Sequence, residues 1–287
     1  MIKNIIKKIE NNSSSLCLVD EPLKKHTTYG IGGPADLMIF PKSKKDLISV
    51  IKIINENKTN VTILGSGSNI LVSDNGLRGA VISLKKSLKE VRLNENILYA
   101  ECGAMLGKIV RLAVKNNLIG LENLNGVPGT LGGALIMNAG AWGGEISENL
   151  INVELINSKN ELKKVPKKDI NFSYRNSSFN NNDILLSAEF NLKKAKKDLI
   201  KENFSKAQIG RTSSQPLDKR SAGSLFKNPK NNSAGKLLDD AGLKGHSIGG
   251  AKISEKHANF FINEGNASSS DMLKLIKKAH REVKKQF

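Results

Sequence analysis

The sequence predicts an α+β chain that ends in a smaller α+β unit. Three observations carry this. Apolar residues recur at helical spacing in four well-separated stretches. Short runs of Ile, Leu and Val lie between them at strand length. Two clusters of glycine and small residues then interrupt the pattern, one directly after a strand. With 287 residues, 39% of them hydrophobic, the chain can bury one large core or two to three smaller ones. Aromatics are only 5%, so that core is mostly aliphatic.

The elements follow in order. Ile2, Ile5, Ile6 and Ile9 share a helical face at the N-terminus. Residues 43–57, "SKKDLISVIKIINEN", read as a helix, with Ser43 and Asp46 at capping-box spacing and Leu47, Val50, Ile51 and Ile54 on one side. "VTIL" at 61–64 is a strand that runs into "GSGSN", and "AVISL" at 80–84 is another. "ILYAECG" at 97–103 is a strand, and 105–118 a helix with Leu106, Ile109, Val110 and Ala113 inward. After the glycine-rich stretch, "INVELIN", "ELKKVP" and "DILLSAEFNL" are strands joined by turns. Lysine-rich 193–201 reads as a connector. The last unit has a helix at about 234–241 ended by Gly242 and a strand around "ANFFI". Its final helix runs from Asp271, with Met272, Leu275, Ile276, Ala279 and Val283 on one face.

Composition excludes several classes. No apolar run approaches the ~18 residues of a membrane span, and the N-terminal helix lacks the unbroken apolar region of a signal peptide. Cys17 and Cys102 make neither a ligand cluster nor a disulfide framework. His26, His246, His257 and His280 have no metal-ligand spacing, so no metal is expected. The expectation is a soluble cytoplasmic protein with no membrane partner. The net charge of +18 raises nucleic-acid binding. But the lysines are scattered in short groups, with no aromatic residues interleaved as stacking platforms. Solvated lysine surface, or a positive cavity for an anionic ligand, explains the charge better.

Four segments carry candidate chemistry. At Gly65-Ser66-Gly67-Ser68-Asn69, small residues let successive backbone N–H groups converge on an anion. This is not the Rossmann fingerprint, because Ile70 stands where the third glycine belongs. An ordinary Gly/Ser turn is the bland alternative. Pro128-Gly129-Thr130-Leu131-Gly132-Gly133-Ala134 lies within "GLENLNGVPGTLGGALIMNAGAWGG" at 120–144. It either moulds around a phosphate-bearing cofactor together with the first cluster, or packs backbone on backbone. Tyr174-Arg175, in "FSYRNSSF", sits in a turn-like context. It is a surface charge unless an anion lies near. In 211–229, Arg211, Lys219, Arg220 and Lys227 bracket Ser221-Ala222-Gly223-Ser224. That suits a phosphate or carboxylate; the nucleophile-elbow pattern of a serine hydrolase is absent.

Together these segments resemble the UDP-N-acetylenolpyruvoylglucosamine reductase family. The matching pieces are "HTTYGIGGPADLMIFP", "LGSGSNILVSDNGLRGAVISL", "GLENLNGVPGTLGGALIMNAGAWGGEI" with "YRNSSF", and "SAGSLFKNP" with "AGKLLDDAGLKG" and "GGAKISEKHANFFIN". They cover the chain from about residue 20 onward. "KNNSA" at 230–234 joins "FKNP" directly to the next helix, which resembles the branch lacking a long tyrosine-bearing insertion.

The resemblance implies an FAD-binding fold of two α/β subdomains, residues 1–84 and 85–197, shared with the vanillyl-alcohol-oxidase-like flavoproteins. A smaller C-terminal α+β substrate domain spans 198–287. It implies non-covalent FAD held by Gly65, Ser66, Gly67, Ser68, Asn69, Pro128, Gly129, Thr130, Gly132, Gly133 and Ala134. NADPH is the implied co-substrate, the enolpyruvyl UDP-sugar the substrate, and the protein a monomer. Arg175 would polarise the substrate carboxylate. Ser224 would protonate the substrate carbon, with Lys227 supplying positive charge nearby. Tyr174, Lys227, Asn228 and Asn259 would contact substrate. The alternative is an oxidase of the same flavin fold. Such oxidases often carry a flavin-linked histidine in the first phosphate loop, where this chain has Ser68-Asn69. The family usually places a catalytic glutamate shortly after the C-terminal helix, in a final strand; the sequence stops at "REVKKQF", and no residue here takes that role. The expectation is either a truncated chain or one that manages without it.

Overall fold

The computed structural model describes residues 2–287. It forms two compact units. Among the described residues, the first comprises 2–19, 37–66 and 79–209; the second comprises 20–36, 67–78 and 210–287.

The first unit holds two aliphatic cores. In one, helices α1 (Ile2–Asn12) and α2 (Lys44–Glu56) bury Ile5, Ile9, Leu47, Val50, Ile51 and Ile54 against Leu37, Ile39, Ala80 and Ile82. The helix spacing read from sequence is thus the packing face. Ser43 caps α2 by accepting from the Asp46 amide at 3.0 Å. Asp46 does not return the bond to Ser43, as a full capping box would; its carboxylate accepts from the Ser14 and Lys42 amides instead. The strand Val61–Leu64 runs parallel to Leu77–Ser83. That pairing makes the turn after Leu64 the carboxyl end of a parallel strand, where ligands of α/β sheets bind.

The other core belongs to a five-stranded antiparallel sheet. Its order is Leu162–Pro166, Leu150–Ile156, Ile184–Asn191, Ile97–Glu101 and Val91–Asn94. Helix α3 (Leu106–Lys115) lays Leu106, Ile109, Val110 and Ala113 on it. The short helix α4 (Leu131–Ile136) adds Leu131, Ala134 and Leu135. Residues 193–201 are not a connector: Lys193–Lys194 pair with Leu118–Ile119, and α5 (Lys197–Ser214) starts at once. Lysine content misled here, because Ile200 and Ala207 are buried beneath a polar face.

The second unit is built on a four-stranded sheet ordered Arg220–Ser224, Phe260–Asn263, Ala251–Ile253, Ser247–Ile248. Helix α6 (Ala234–Asp240) buries Ala234 and Leu238, and α7 (Ser269–Gln286) buries Met272, Leu275 and Ala279. Ser268 and Asp271 close a complete capping box on α7. Tyr29, Ile31 and Leu71 join this core, which places "HTTYGIGG" in the second unit. Gly76 sits at φ 77°, where a Cβ would collide with the Pro34 carbonyl, so this turn requires glycine.

Candidate active site

In the first unit the two glycine clusters meet. A Cβ on Gly65 would collide with Thr130 Oγ1. Thr130 is buried and stands at the N-cap of α4. Its neighbours show both uses of glycine weighed from the sequence. Gly132 packs backbone on backbone: its amide donates to the Cys102 carbonyl at 2.9 Å, and a Cβ would lie 3.2 Å from the Cys102 Cβ. Gly129 takes φ 144°, a conformation side chains resist. Gly133 is different. It is exposed, and a Cβ there would meet only Thr130 Oγ1, at 3.8 Å.

The residues fit FAD on this ground. Gly65 and Gly133 both lie against Thr130 Oγ1, and Gly133 is exposed, glycine with no protein atom requiring it. Exposed Ile136, Trp142 and Tyr174 stand in the segments that follow and offer apolar surface to a flat ring system. Gly133→Leu should therefore keep the fold and lose the flavin. Leucine favours a helix over glycine by roughly 1 kcal/mol, and the protein leaves room for it. The flavin-to-protein absorbance ratio should fall sharply while the melting temperature of the flavin-free protein holds or rises. Full flavin content would remove Gly133 from the cofactor site.

Helix α4 also frames Arg175. It spans about 9 Å at 1.5 Å per residue. Its first turn carries the second glycine cluster, and its far end holds the hairpin Phe172–Ser173/Asn176–Ser177, whose two-residue turn is Tyr174-Arg175. Ser177 Oγ donates to the Ile136 carbonyl at 2.7 Å. Asn138 Nδ2 donates to the Ser173 carbonyl at 3.1 Å and to Glu145 at 2.6 Å. Arg175 Nη2 donates to the Gly140 carbonyl at 2.5 Å, and its guanidinium lies 4.9 Å from the Tyr174 ring centroid. Arg175 is held at φ 53°, left-handed backbone that a non-glycine residue adopts at a cost. Sequence reasoning missed Asn138. Its signal was the polar residue inside the apolar "IMNAGAW", buried completely and bonded across to the hairpin.

In the second unit Ser224 is exposed at the end of Arg220–Ser224, opposite Phe260. The partner strand moves two residues, Ile262 to Phe260, while this strand moves three, Ser221 to Ser224. The extra residue is a bulge, and Gly223 supplies its φ of 79°. Ser221-Ala222-Gly223-Ser224 thus lies in a bulged strand, which re-aims Ser224. Beneath it, Thr28 Oγ1 donates to the Ser221 carbonyl at 2.6 Å. The Thr28 amide donates to the Gly67 carbonyl at 3.0 Å. A Cβ on Gly67 would collide with the His26 carbonyl, so this glycine is a close-approach residue at φ 66°. Ser68 and Asn69 follow it in this unit, whereas Gly65 and Ser66 belong to the first.

The remaining candidates cluster after Ser224. Lys227 and Asn228 are exposed. Asn228 Oδ1 accepts from the Ala234 amide at 3.0 Å and so fastens the start of α6. Asn259 is buried, and its amide bonds Phe226 at both ends: Oδ1 accepts from the Phe226 amide at 2.9 Å and Nδ2 donates to the Phe226 carbonyl at 2.8 Å. Among the described residues no cluster of His, Cys, Asp and Glu has metal-binding geometry, and no helix is long and apolar enough to cross a membrane.

Two family models match the chain. A family model described as an FAD binding domain matches residues 35–165. One described as UDP-N-acetylenolpyruvoylglucosamine reductase, C-terminal domain, matches residues 215–287. The reductase of Caldanaerobacter subterraneus is 43% identical over 94% of this chain and 89% of its own. That of Caldicellulosiruptor bescii is 45% identical over 96% of this chain and 88% of its own. The crystal structure of the Thermus caldophilus reductase superposes with a TM-score of 0.80 at 32% identity, covering 93% of this chain and 95% of that one. A berberine bridge enzyme variant, at TM-score 0.51 and 13% identity over 67% of this chain and 44% of its own, shares the fold alone. On these similarities the chain belongs to the UDP-N-acetylenolpyruvoylglucosamine reductase family.

Proposed function

We propose that the chain carries out the reaction of its family, with Arg175 and Ser224 as its catalytic groups. It is an FAD-dependent oxidoreductase that reduces the enolpyruvyl group of UDP-N-acetylglucosamine-enolpyruvate to UDP-N-acetylmuramate in peptidoglycan precursor synthesis, with NADPH as donor. Bound FAD supplies the two-electron relay between NADPH and the enolpyruvyl double bond. The observation that carries the residue assignment is the α4 frame, with the second glycine cluster at its start and the Arg175 hairpin tied to its end.

Each residue then has a defined task. Arg175 pairs with the substrate carboxylate, where negative charge grows as the double bond is reduced. A preorganised cation there lowers the barrier. Ser224 Oγ gives its proton to the carbon next to the one reduced. Lys227, three residues on, steadies the alkoxide left behind. Tyr174 and Asn228 line the substrate's path, and Asn259 serves it through the Phe226 backbone it holds. The enzyme works as a monomer in the cytoplasm, where NADPH and nucleotide sugars are kept.

Purified protein should be yellow, lose colour anaerobically with NADPH, and regain it on addition of the enolpyruvyl substrate. Colourless protein that rejects added FAD would sink the reading. Hydrogen peroxide formed at the rate of turnover would favour the oxidase alternative instead.

A further inference from the structure

Below the Ser224 strand lies a side chain with no part in the reaction above. His257 is half-buried, edge-on to the Phe260 ring at 4.9 Å between centroids. Its ring also closes on α6: a Cβ on Gly235 would lie 3.0 Å from the His257 Cε1. Its Nδ1 accepts from the Asn259 amide at 3.1 Å. That bond requires Nδ1 to be unprotonated, which puts the neutral ring's proton on Nε2. Asn259 in turn governs the next strand. Its carbonyl accepts from the Leu225 amide at 2.9 Å, and its side chain bonds both backbone groups of Phe226. Leu225 and Phe226 directly follow Ser224, whose backbone pairs with Phe260.

We propose that His257 is a positioning residue for Ser224: through Asn259 its neutral imidazole sets the backbone that aims the serine hydroxyl. The proposal rests on the assignment of Ser224 as proton donor. Protonation would place an N–H at Nδ1 opposite the Asn259 N–H, turning an attraction into a repulsion. Burial pushes the His257 ring below the usual histidine range, and Lys244 adds to this; its own backbone carbonyl and Asp239 oppose it. Asp239 and Lys244, which face it from α6 and the turn after, pair with each other at 2.6 Å. Glu255 and Lys256 flank it in its own turn. Lys256 reaches the Thr212 carbonyl at 2.6 Å, and Glu255 pairs with Lys252 at 2.8 Å. The sign follows. A depressed folded-state value means the neutral contact is fully present above the unfolded value of about 6.5. It is lost as pH falls through the lower folded value.

The test compares wild type, His257→Leu and His257→Asn as holoenzymes, in two half-reactions from pH 5 to 8. Asparagine puts an acceptor where Nδ1 stands and cannot titrate. Flavin bleaching by NADPH should be alike in all three. At pH 7.5 reoxidation by the enolpyruvyl substrate should slow roughly 10- to 10²-fold in His257→Leu, the scale of a small misplacement. His257→Asn should restore most of that rate. Wild-type reoxidation should hold through the ordinary histidine range near pH 6.5 and fall, relative to bleaching, only at lower pH, and the asparagine variant should lack that fall. If His257→Leu does not fold, nitrogen-15 NMR of wild-type histidines decides. One ring should hold its Nε2–H tautomer to a pH below the ordinary histidine range, and that signal should vanish in His257→Asn. Reoxidation in His257→Leu as fast as wild type, the same acid fall in His257→Asn, or a His257 ring protonated on Nδ1 at neutral pH would overturn the proposal. Absence of bleaching by NADPH in wild type would instead overturn the enzyme reading.

Discussion

Ser224→Ala should leave reduction by NADPH at nearly the wild-type rate and slow reoxidation by the enolpyruvyl substrate by roughly 10²-fold or more, the scale of a lost proton donor. The separation follows from the role: a group that protonates the substrate carbon has no task while NADPH delivers its electrons. The structure makes alanine a clean probe. Ser224 is exposed, and its place in the sheet comes from backbone pairing with Phe260, which alanine keeps. The bulge survives too, because Gly223 supplies the positive φ. Such a surface change costs no more than about 0.5 kcal/mol of stability. Rapid-mixing absorbance of the flavin reads both half-reactions in one protein. Equal slowing of the two would make Ser224 a binding or structural residue.

Sequence legibility divides along physical lines. The long amphipathic helices could be read because one spacing pattern fixes both element and buried face. Leu47, Val50, Ile51 and Ile54 of α2, and Met272, Leu275 and Ala279 of α7, are buried as their spacing requires. Helix α4 was hidden, because a six-residue helix containing Gly132 and Gly133 carries no periodicity and poor propensity. It forms because Leu131 and Leu135 are buried and its first amides bond the carbonyls of Ala104 and Cys102. The lysine-rich start of α5 was hidden for the converse reason, a polar surface over few buried residues. Motifs located the glycine clusters. They did not show that Gly132 serves packing and Gly133 leaves space, since this depends on what lies opposite each missing Cβ. Nor does the sequence show that Asn138 and Asn259 are buried struts rather than surface amides.

Arg175→Gly should slow reoxidation by the enolpyruvyl substrate by roughly 10²–10³-fold, the loss expected when one preorganised charge partner is removed, with little change in melting temperature. Two opposing effects produce the second half of this result. Arg175 sits at φ 53°, and relieving left-handed strain on a non-glycine residue gains roughly 1–2 kcal/mol. Removing its side chain forfeits the charged bond to the Gly140 carbonyl, worth roughly 1.5–3 kcal/mol, the 4.0 Å approach to Glu145 and the contact with the Tyr174 ring. The hairpin stays in place because Ser177 and Asn138, not Arg175, tie it to the end of α4. The kinetic signature also differs from that of Ser224→Ala. A cation on the substrate carboxylate acts in the ground state as well as the transition state, so KM should rise while kcat falls. Loss of the serine should lower kcat with little change in KM. Arg175→Asn is the companion variant, since asparagine tolerates the left-handed backbone without the entropy of glycine. If both variants melted well below wild type, the arginine would be holding the hairpin rather than the substrate. A fall in kcat with unchanged KM would take it off the carboxylate.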